Sequence, residues 1–77
     1  MKANRYLHWH QNRRLVASME AHLSTGGAVV VATMTRATKY RRPGSFRATR
    51  SGIYAQSGRG WVAIGGAGML FVGVELI

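Results

Sequence analysis

The sequence predicts an α+β domain in which one N-terminal helix packs on a small curved antiparallel sheet of four or five strands. Two observations predict it. Apolar residues recur with helical spacing up to a Gly-Gly pair at 26–27, and short β-branched segments separated by turn residues follow. With 77 residues, the chain is expected to form a single domain over 1–77, its helix at about 4–24 and its β-rich half at about 28–76.

The helix is predicted from a single apolar arc. At about 100° per residue, this arc holds Trp9, Leu15, Val16, Met19 and Leu23, with His8 and Asn12 inside it, and Arg14, Ala17, Ala21 and His10 lie opposite. Asn4 is a candidate N-cap, since its side-chain oxygen can accept from the free amides of the first turn. Gly26-Gly27 should end the helix, because glycine enters the left-handed C′ conformation without a Cβ penalty.

The remaining segments are predicted to be strands joined by turns. One strand is expected within 28–40, and further strands at 46–49, 53–56, 61–64 and 69–77. Breaks are expected at Pro43-Gly44, at Ser51-Gly52, at the hairpin loop "SGRG" and at "GGAG". Short connections favour antiparallel neighbours, and the helix should cover one face of the sheet. The other face would be exposed and rich in Thr and Arg.

The charge is the most informative property of the composition. Eleven Lys and Arg stand against two Asp and Glu, which gives a net charge of +9 and a pI of about 11.7. Nine of the eleven are arginine, whose planar fork of donors matches phosphate and carboxylate oxygens. Such a balance is typical of nucleic-acid-binding domains, although net charge alone specifies neither fold nor target.

The basic residues concentrate in "RATKYRRPGSFRATR", residues 36–50, which holds six of them and no acid. We expect this segment to form an arginine-rich β-hairpin around Pro43-Gly44, with aromatic residues interleaved among the charges. The candidate binding residues are Arg36, Lys39, Tyr40, Arg41, Arg42, Arg47, Arg50, Tyr54 and Arg59. Trp61 lies beside them in the sequence. Tyr54 and Trp61 can equally serve cross-strand packing, and the charges can simply solvate a hairpin.

Two functions without catalysis fit this pattern. The first is a small accessory protein that binds DNA or RNA, since cations follow the phosphate backbone while rings stack on bases. The alternative is an inhibitor or adaptor that docks its basic surface on an acidic patch of a host protein. Composition does not separate these two functions, because arginine beside aromatic residues suits both kinds of interface.

Little in the sequence suggests catalysis, metal binding or a cofactor. The chain has no aspartate and no cysteine, and its two acids, Glu20 and Glu75, are each expected to pair with an arginine. On a helix, His8 and His10 would point about 200° apart and could not share one metal ion. We therefore expect no enzyme activity, no metal and no cofactor. The N-terminus has no apolar core of the length that a secretory signal needs, so a cytoplasmic protein is expected.

The last third of the chain allows a third interpretation. Residues 60–77 carry a single charge and approach the length of a bilayer-spanning helix, with a basic segment before them. Their five glycines, Glu75 and the two-residue alternation at the C-terminal end favour strands over a membrane segment. The apolar last strand is expected at a sheet edge, where unpaired backbone groups invite a second copy of the chain to form a homodimer.

The stretch "VVVATMTRATKY … FRATRSGIYAQSGRGWVAI", within residues 28–64, resembles a pattern in short proteins encoded by tailed bacteriophages. In those proteins a helix precedes a β-rich half with a threonine-rich strand and a "GxYxQxGxxW"-like hairpin. The resemblance implies a small phage accessory protein in the host cytoplasm, and it implies no activity and no functional residue. Here the hairpin tryptophan is followed by apolar residues, whereas polar ones often follow it in the phage proteins.

Overall fold

A computed structural model describes residues 9–50, 52–66 and 71–77. Over these residues it is an α+β fold, as predicted, but with six strands in two three-stranded sheets instead of four or five strands in one sheet. The elements, in chain order, are α1 (Trp9–Ser24), β1 (Val29–Thr33), β2 (Ala37–Tyr40), β3 (Phe46–Thr49), β4 (Gly52–Ser57), β5 (Gly60–Gly66) and β6 (Phe71–Leu76).

Helix α1 buries the predicted face. Val16, Met19 and Leu23 are buried, Leu15 packs partly against them, and Arg14 is exposed on the opposite side. The candidate N-cap, Asn4, and the first part of the predicted helix fall within residues 1–8, outside the described residues. The helical periodicity therefore identified the packing face correctly from Asn12 to the end of the helix, and the side chains of Trp9 and His10 lie outside the described residues.

The Gly-Gly pair ends α1 as predicted. Gly26 has φ +92°, a left-handed conformation that favours glycine. Its amide donates to the Leu23 carbonyl at 3.1 Å, and the Gly27 amide donates to the His22 carbonyl at 3.1 Å. The two bonds satisfy carbonyl groups that the last helical turn would otherwise leave without donors.

The predicted first strand is in fact a hairpin. β1 and β2 pair antiparallel, with Val29 opposite Tyr40 and Ala32 opposite Ala37. Thr33 organises the turn, because its hydroxyl accepts from the amides of Thr35 and Arg36 and donates to the Arg36 carbonyl at 3.2 Å. A threonine hydroxyl can thus replace the glycine or proline that usually marks a turn. This additional turn accounts for the sixth strand.

The prediction of an arginine-rich β-hairpin around Pro43-Gly44 is wrong. β2 pairs with β1, and β3 pairs with β4, so the two flanking strands belong to different sheets. The segment 41–45 is a connection between the sheets. Helix α1 contacts β3 and β4 as well as β1, and it lies near both sheets at this crossing. The basic residues of 36–50 are therefore spread over two sheets and one loop.

The C-terminal third forms strands where it is described. β4 and β5 are joined by the predicted tight loop, with Ser57 opposite Gly60 and Gly58 at φ +58°. β6 pairs with β1 through Val31 and Val74. Among the described residues, no helix combines the length and the apolar character needed to cross a bilayer. The predicted "GGAG" turn lies partly in residues 67–70, outside the described residues.

The core lies where α1 meets the two sheets. It consists of Val16, Met19, Leu23, Val29, Val31, Phe46, Ile53, Ala55 and Ile64. Asn12 is buried beside this core at 1% exposure, and its amide has no hydrogen-bond partner within 9–50, 52–66 and 71–77. The outward residues of β3, β4 and β5 lie on the opposite face of their sheet from this core.

Candidate nucleic-acid interface

The outer face of the β3–β4–β5 sheet carries a cation among aromatic rings. Arg47 on β3 is opposite Tyr54 on β4, and Gln56 on β4 is opposite Trp61 on β5. Directly opposed residues share a face, and so do residues two apart on one strand. Arg47, Tyr54, Gln56 and Trp61 therefore lie on one face. We call Arg47, Tyr54 and Trp61 the stacking face.

Arg47 and Trp61 are in direct contact on this face. The Cζ atom of Arg47 lies 4.7 Å from the centroid of the Trp61 ring, within the range of a cation–π interaction. The guanidinium thus spans β4 to reach the indole two strands away. Such a pair, exposed to water, contributes about 0.5–1 kcal/mol. The contact places two flat groups against each other on the protein surface.

The two aromatic residues of the stacking face, Tyr54 and Trp61, differ in how much of each residue is exposed. Tyr54 is half-buried and has interactions within the protein. Trp61 retains 37% exposure although it contacts Arg47, and Arg47 is exposed. Exposed indole surface beside a guanidinium is what a nucleic-acid base or another flat group can stack on. Trp61 therefore contacts Arg47 within the protein and still leaves part of its indole exposed to solvent.

The loop 41–45, which we call the basic loop, carries Arg41 and Arg42, both exposed. A carboxylate from the helix holds it. Glu20 accepts hydrogen bonds from the amides of Gly44 at 2.5 Å and Phe46 at 2.9 Å. Pairing of Glu20 with an arginine stays a prediction, and these two hydrogen bonds give its carboxylate a role on the backbone of the basic loop. The segment 36–50 has no acid of its own in sequence, but the fold brings one to it.

Further contacts order the basic loop. Gly44 has φ +85°, which explains the glycine after Pro43. Ser45, only 7% exposed, donates from its hydroxyl to the Arg42 carbonyl at 2.5 Å. The Gln56 amide donates to the Ser45 carbonyl at 2.8 Å, which links the loop to β4. The backbone that carries the two arginines is thus bonded to both α1 and the sheet.

Tyr40 lies where the two sheets meet. Its ring contacts Phe46 edge-on, with the ring centroids 4.7 Å apart. Burial raises the pKa of the Tyr40 hydroxyl above its usual value, and nearby Arg36 and a hydrogen bond with Thr38 partly offset the increase. Tyr40 is therefore neutral near pH 7 and can donate a hydrogen bond. It is half-buried and serves packing as well as the surface.

The other predicted binding residues are all exposed, three of them in turns and one within a strand. Arg36 lies just before β2, Lys39 lies within β2, Arg50 follows β3, and Arg59 lies at the tip of the β4–β5 hairpin. The structure thus gathers the nine predicted residues into the stacking face, the basic loop with β2, and three turn arginines. All are in the described part of the chain.

Sequence reasoning missed Ser45 and Gln56. Ser45 is nearly buried and organises the basic loop, and Gln56 lies both on the outer sheet face and beside the loop. The position of Gln56 could have identified it, since it lies two residues after Tyr54 in β4 and therefore on the same outward face. Ser45 gives no such signal, because its role depends on a backbone bond to β4.

Within 9–50, 52–66 and 71–77, no cluster of His and acidic side chains has the makings of a metal site. The side chains of residues 1–11, which include His8 and His10, lie outside the described residues. No family model, curated protein or solved structure matches the chain.

Proposed function

We propose that this protein is a non-enzymatic nucleic-acid-binding module, and that single strands are its preferred form of DNA or RNA. The observation that carries the proposal is the contact between Arg47 and Trp61 on an outward sheet face, with the indole partly exposed. Proteins that bind single strands combine rings for base stacking with a positive surface that follows the backbone. The stacking face supplies the rings.

The arginines around the stacking face supply the positive surface. Seven Lys and Arg lie between 36 and 59: Arg36, Lys39, Arg41, Arg42, Arg47, Arg50 and Arg59. All seven are exposed. Like charges at such density repel one another, and a polyanion relieves this repulsion while its condensed counterions are released. These cations are spread over two sheets and a loop. This placement favours binding of a single nucleic-acid strand along the curved protein surface over insertion of a protein β-ribbon into a duplex groove.

Binding of a labelled single-stranded oligothymidylate, measured by fluorescence anisotropy at two salt concentrations, tests the proposal. If about four cations each neutralise a phosphate, the affinity should fall about 50-fold between 50 and 200 mM salt. A duplex of equal length should bind less tightly. Absence of binding at low salt, or affinity that salt does not change, would contradict the proposal.

A second experiment distinguishes the alternative function, docking on an acidic host protein. The full chain is used to capture partners from a nuclease-treated lysate, with an Arg47→Gln, Trp61→Ala variant beside it. A protein retained by the wild type alone, together with weak oligonucleotide binding, would favour the adaptor or inhibitor function. The resemblance to small phage proteins suits either function, and phage origin stays a prediction.

A further inference from the structure

A cleft of about 300 Å³ opens between the basic loop and the tip of the β4–β5 hairpin. Lys39, Arg41 and Arg42 line one side of it, with Tyr40 and Ser45. Gln56 and Gly58 line the other side. This volume is at the small end of the range for ligand-binding pockets. The cleft is separate from the stacking face but adjoins it through Gln56.

The lining of the cleft is suited to an anion. Three of the seven lining residues are cations, and none is a carboxylate. Two of the cations are arginines, whose guanidinium groups bind phosphate oxygens through paired N–H donors. Glu20 bonds to the backbone of the basic loop and is not among the residues that line the cleft. Tyr40 and Gln56 add neutral hydrogen-bond donors.

The cleft is built on an ordered backbone. The Gln56 amide donates to the Ser45 carbonyl at 2.8 Å, so two lining residues from opposite sides are joined directly. The Ser45 hydroxyl bonds to the Arg42 carbonyl, and Glu20 holds Gly44. A site with a preformed backbone loses less conformational entropy when a ligand binds. These bonds involve main-chain atoms of the arginines' loop and leave both guanidinium groups outside them.

We infer that this cleft is a phosphate-binding site. The inference rests on the proposed function, because it takes the phosphate from the backbone of a bound nucleic acid. A base of the same nucleic acid would reach the adjoining stacking face. Gln56 pairs with Trp61 across the sheet and also lines the cleft. A nucleic-acid strand can therefore contact the stacking face and the cleft at the same time. A free nucleotide carries the same phosphate chemistry, and the experiment separates the two sources.

The first measurement follows backbone amide signals of the full chain by NMR. Adenosine monophosphate is one probe, and a single-stranded oligothymidylate of about ten nucleotides is the other, a length within the site sizes of single-strand binders. The amides of Ser45 and Gly58 should shift in a saturable manner, and that of Gly26, at the end of α1, should not. Ser45 and Gly58 signals that stay unmoved at saturating concentrations of both probes would overturn the inference.

The second measurement compares variants with a matched control. Arg42→Gln removes a cleft guanidinium, whereas Arg14→Gln removes the same charge from an exposed position on α1. The cleft variant should lose about tenfold more oligonucleotide affinity than the control, as expected when a charge-assisted hydrogen bond is lost. Arg42→Lys, which retains the charge and loses the fork, should fall between them. Equal losses for Arg42→Gln and Arg14→Gln would overturn the inference.

The outcomes separate the inference from the proposed function. If the oligonucleotide shifts the cleft amides at much lower concentration than the mononucleotide, the phosphate belongs to the nucleic acid backbone. If the mononucleotide shifts them and the oligonucleotide does not bind, the cleft takes a free nucleotide and the proposed function fails. If the oligonucleotide binds through Trp61 while the cleft amides stay unmoved, the proposed function stands and the phosphate site is excluded.

Discussion

Glu20 on helix α1 accepts a hydrogen bond of 2.9 Å from the amide of Phe46, the first residue of β3. The same carboxylate accepts from Gly44. One side chain therefore links the helix to the segment that crosses between the two sheets. Without this carboxylate, two loop amides would lose their acceptor, and the arginines beside them would lose a nearby negative charge.

Replacing Glu20 with alanine should destabilise the fold and loosen the basic loop. Hydrogen bonds to charged groups contribute about 1.5–3 kcal/mol each, and the Phe46 amide lies in a part-buried position. Urea unfolding should show a loss of about that size, and hydrogen exchange at Gly44 and Phe46 should accelerate. Glu75→Ala, which removes the exposed acid of β6, is the control and should change stability little. Equal effects of the two variants would contradict the assigned role of Glu20.

The raised pKa of Tyr40 predicts a loss of stability at alkaline pH. Below about pH 10, tyrosine is neutral in both folded and unfolded chains, and this contribution to stability is fully present. As the pH rises above that, the unfolded chain releases the proton before the folded chain does, so stability falls until the pH passes the folded pKa. Tyr40→Phe should flatten this decline in the free energy of unfolding. An unchanged alkaline slope would contradict the prediction.

The stacking face should carry a measurable share of the affinity for single strands. Trp61→Ala should weaken binding by about 1–3 kcal/mol, the usual contribution of stacking one base on an aromatic ring. Arg47→Gln should weaken it as well and should also reduce the salt dependence, because a phosphate-binding cation is lost. Met34→Ala, at an apolar residue that is 75% exposed in the β1–β2 turn, is the control. Anisotropy titrations that rank the three variants equally would exclude a role for this face.

The edge position of β6 bears on the predicted homodimer. β6 pairs with β1 on one side, and no other described strand pairs with it. Leu76 and Ile77 are 48% and 60% exposed there. An open apolar edge invites strand pairing with a second copy. Sedimentation velocity should show concentration-dependent association that Leu76→Glu removes and Met34→Glu does not. A monomer at every concentration would contradict the homodimer.

Local pattern in the sequence predicted the parts of the fold that depend on near neighbours. The buried face of α1, its end at Gly26 and the tight β4–β5 hairpin follow from residues within a few positions of one another. The β1–β2 turn was missed because a threonine hydroxyl, not a glycine or proline, forms it. The order of the strands could not be read in this way, since pairing partners are chosen between distant segments.

The candidate site shows the same division. The concentration of cations in 36–50 is visible in the sequence, and so are the aromatic residues beside it. The hairpin expected there was wrong because β2 and β3 each pair with a strand outside the segment. The tether from Glu20 and the link between Ser45 and Gln56 join residues far apart in the chain. Only the folded arrangement reveals the cleft and the stacking face as neighbouring surfaces.

The fluorescence of Trp61 during binding tests the central claim most directly. The chain has two tryptophans, so a Trp9→Phe variant leaves Trp61 as the sole reporter. Titrated with single-stranded oligothymidylate at low salt, its emission should be quenched to saturation as a base stacks on the indole, and the signal should recover when salt is added. Binding that anisotropy detects while the Trp61 emission stays constant would contradict the account.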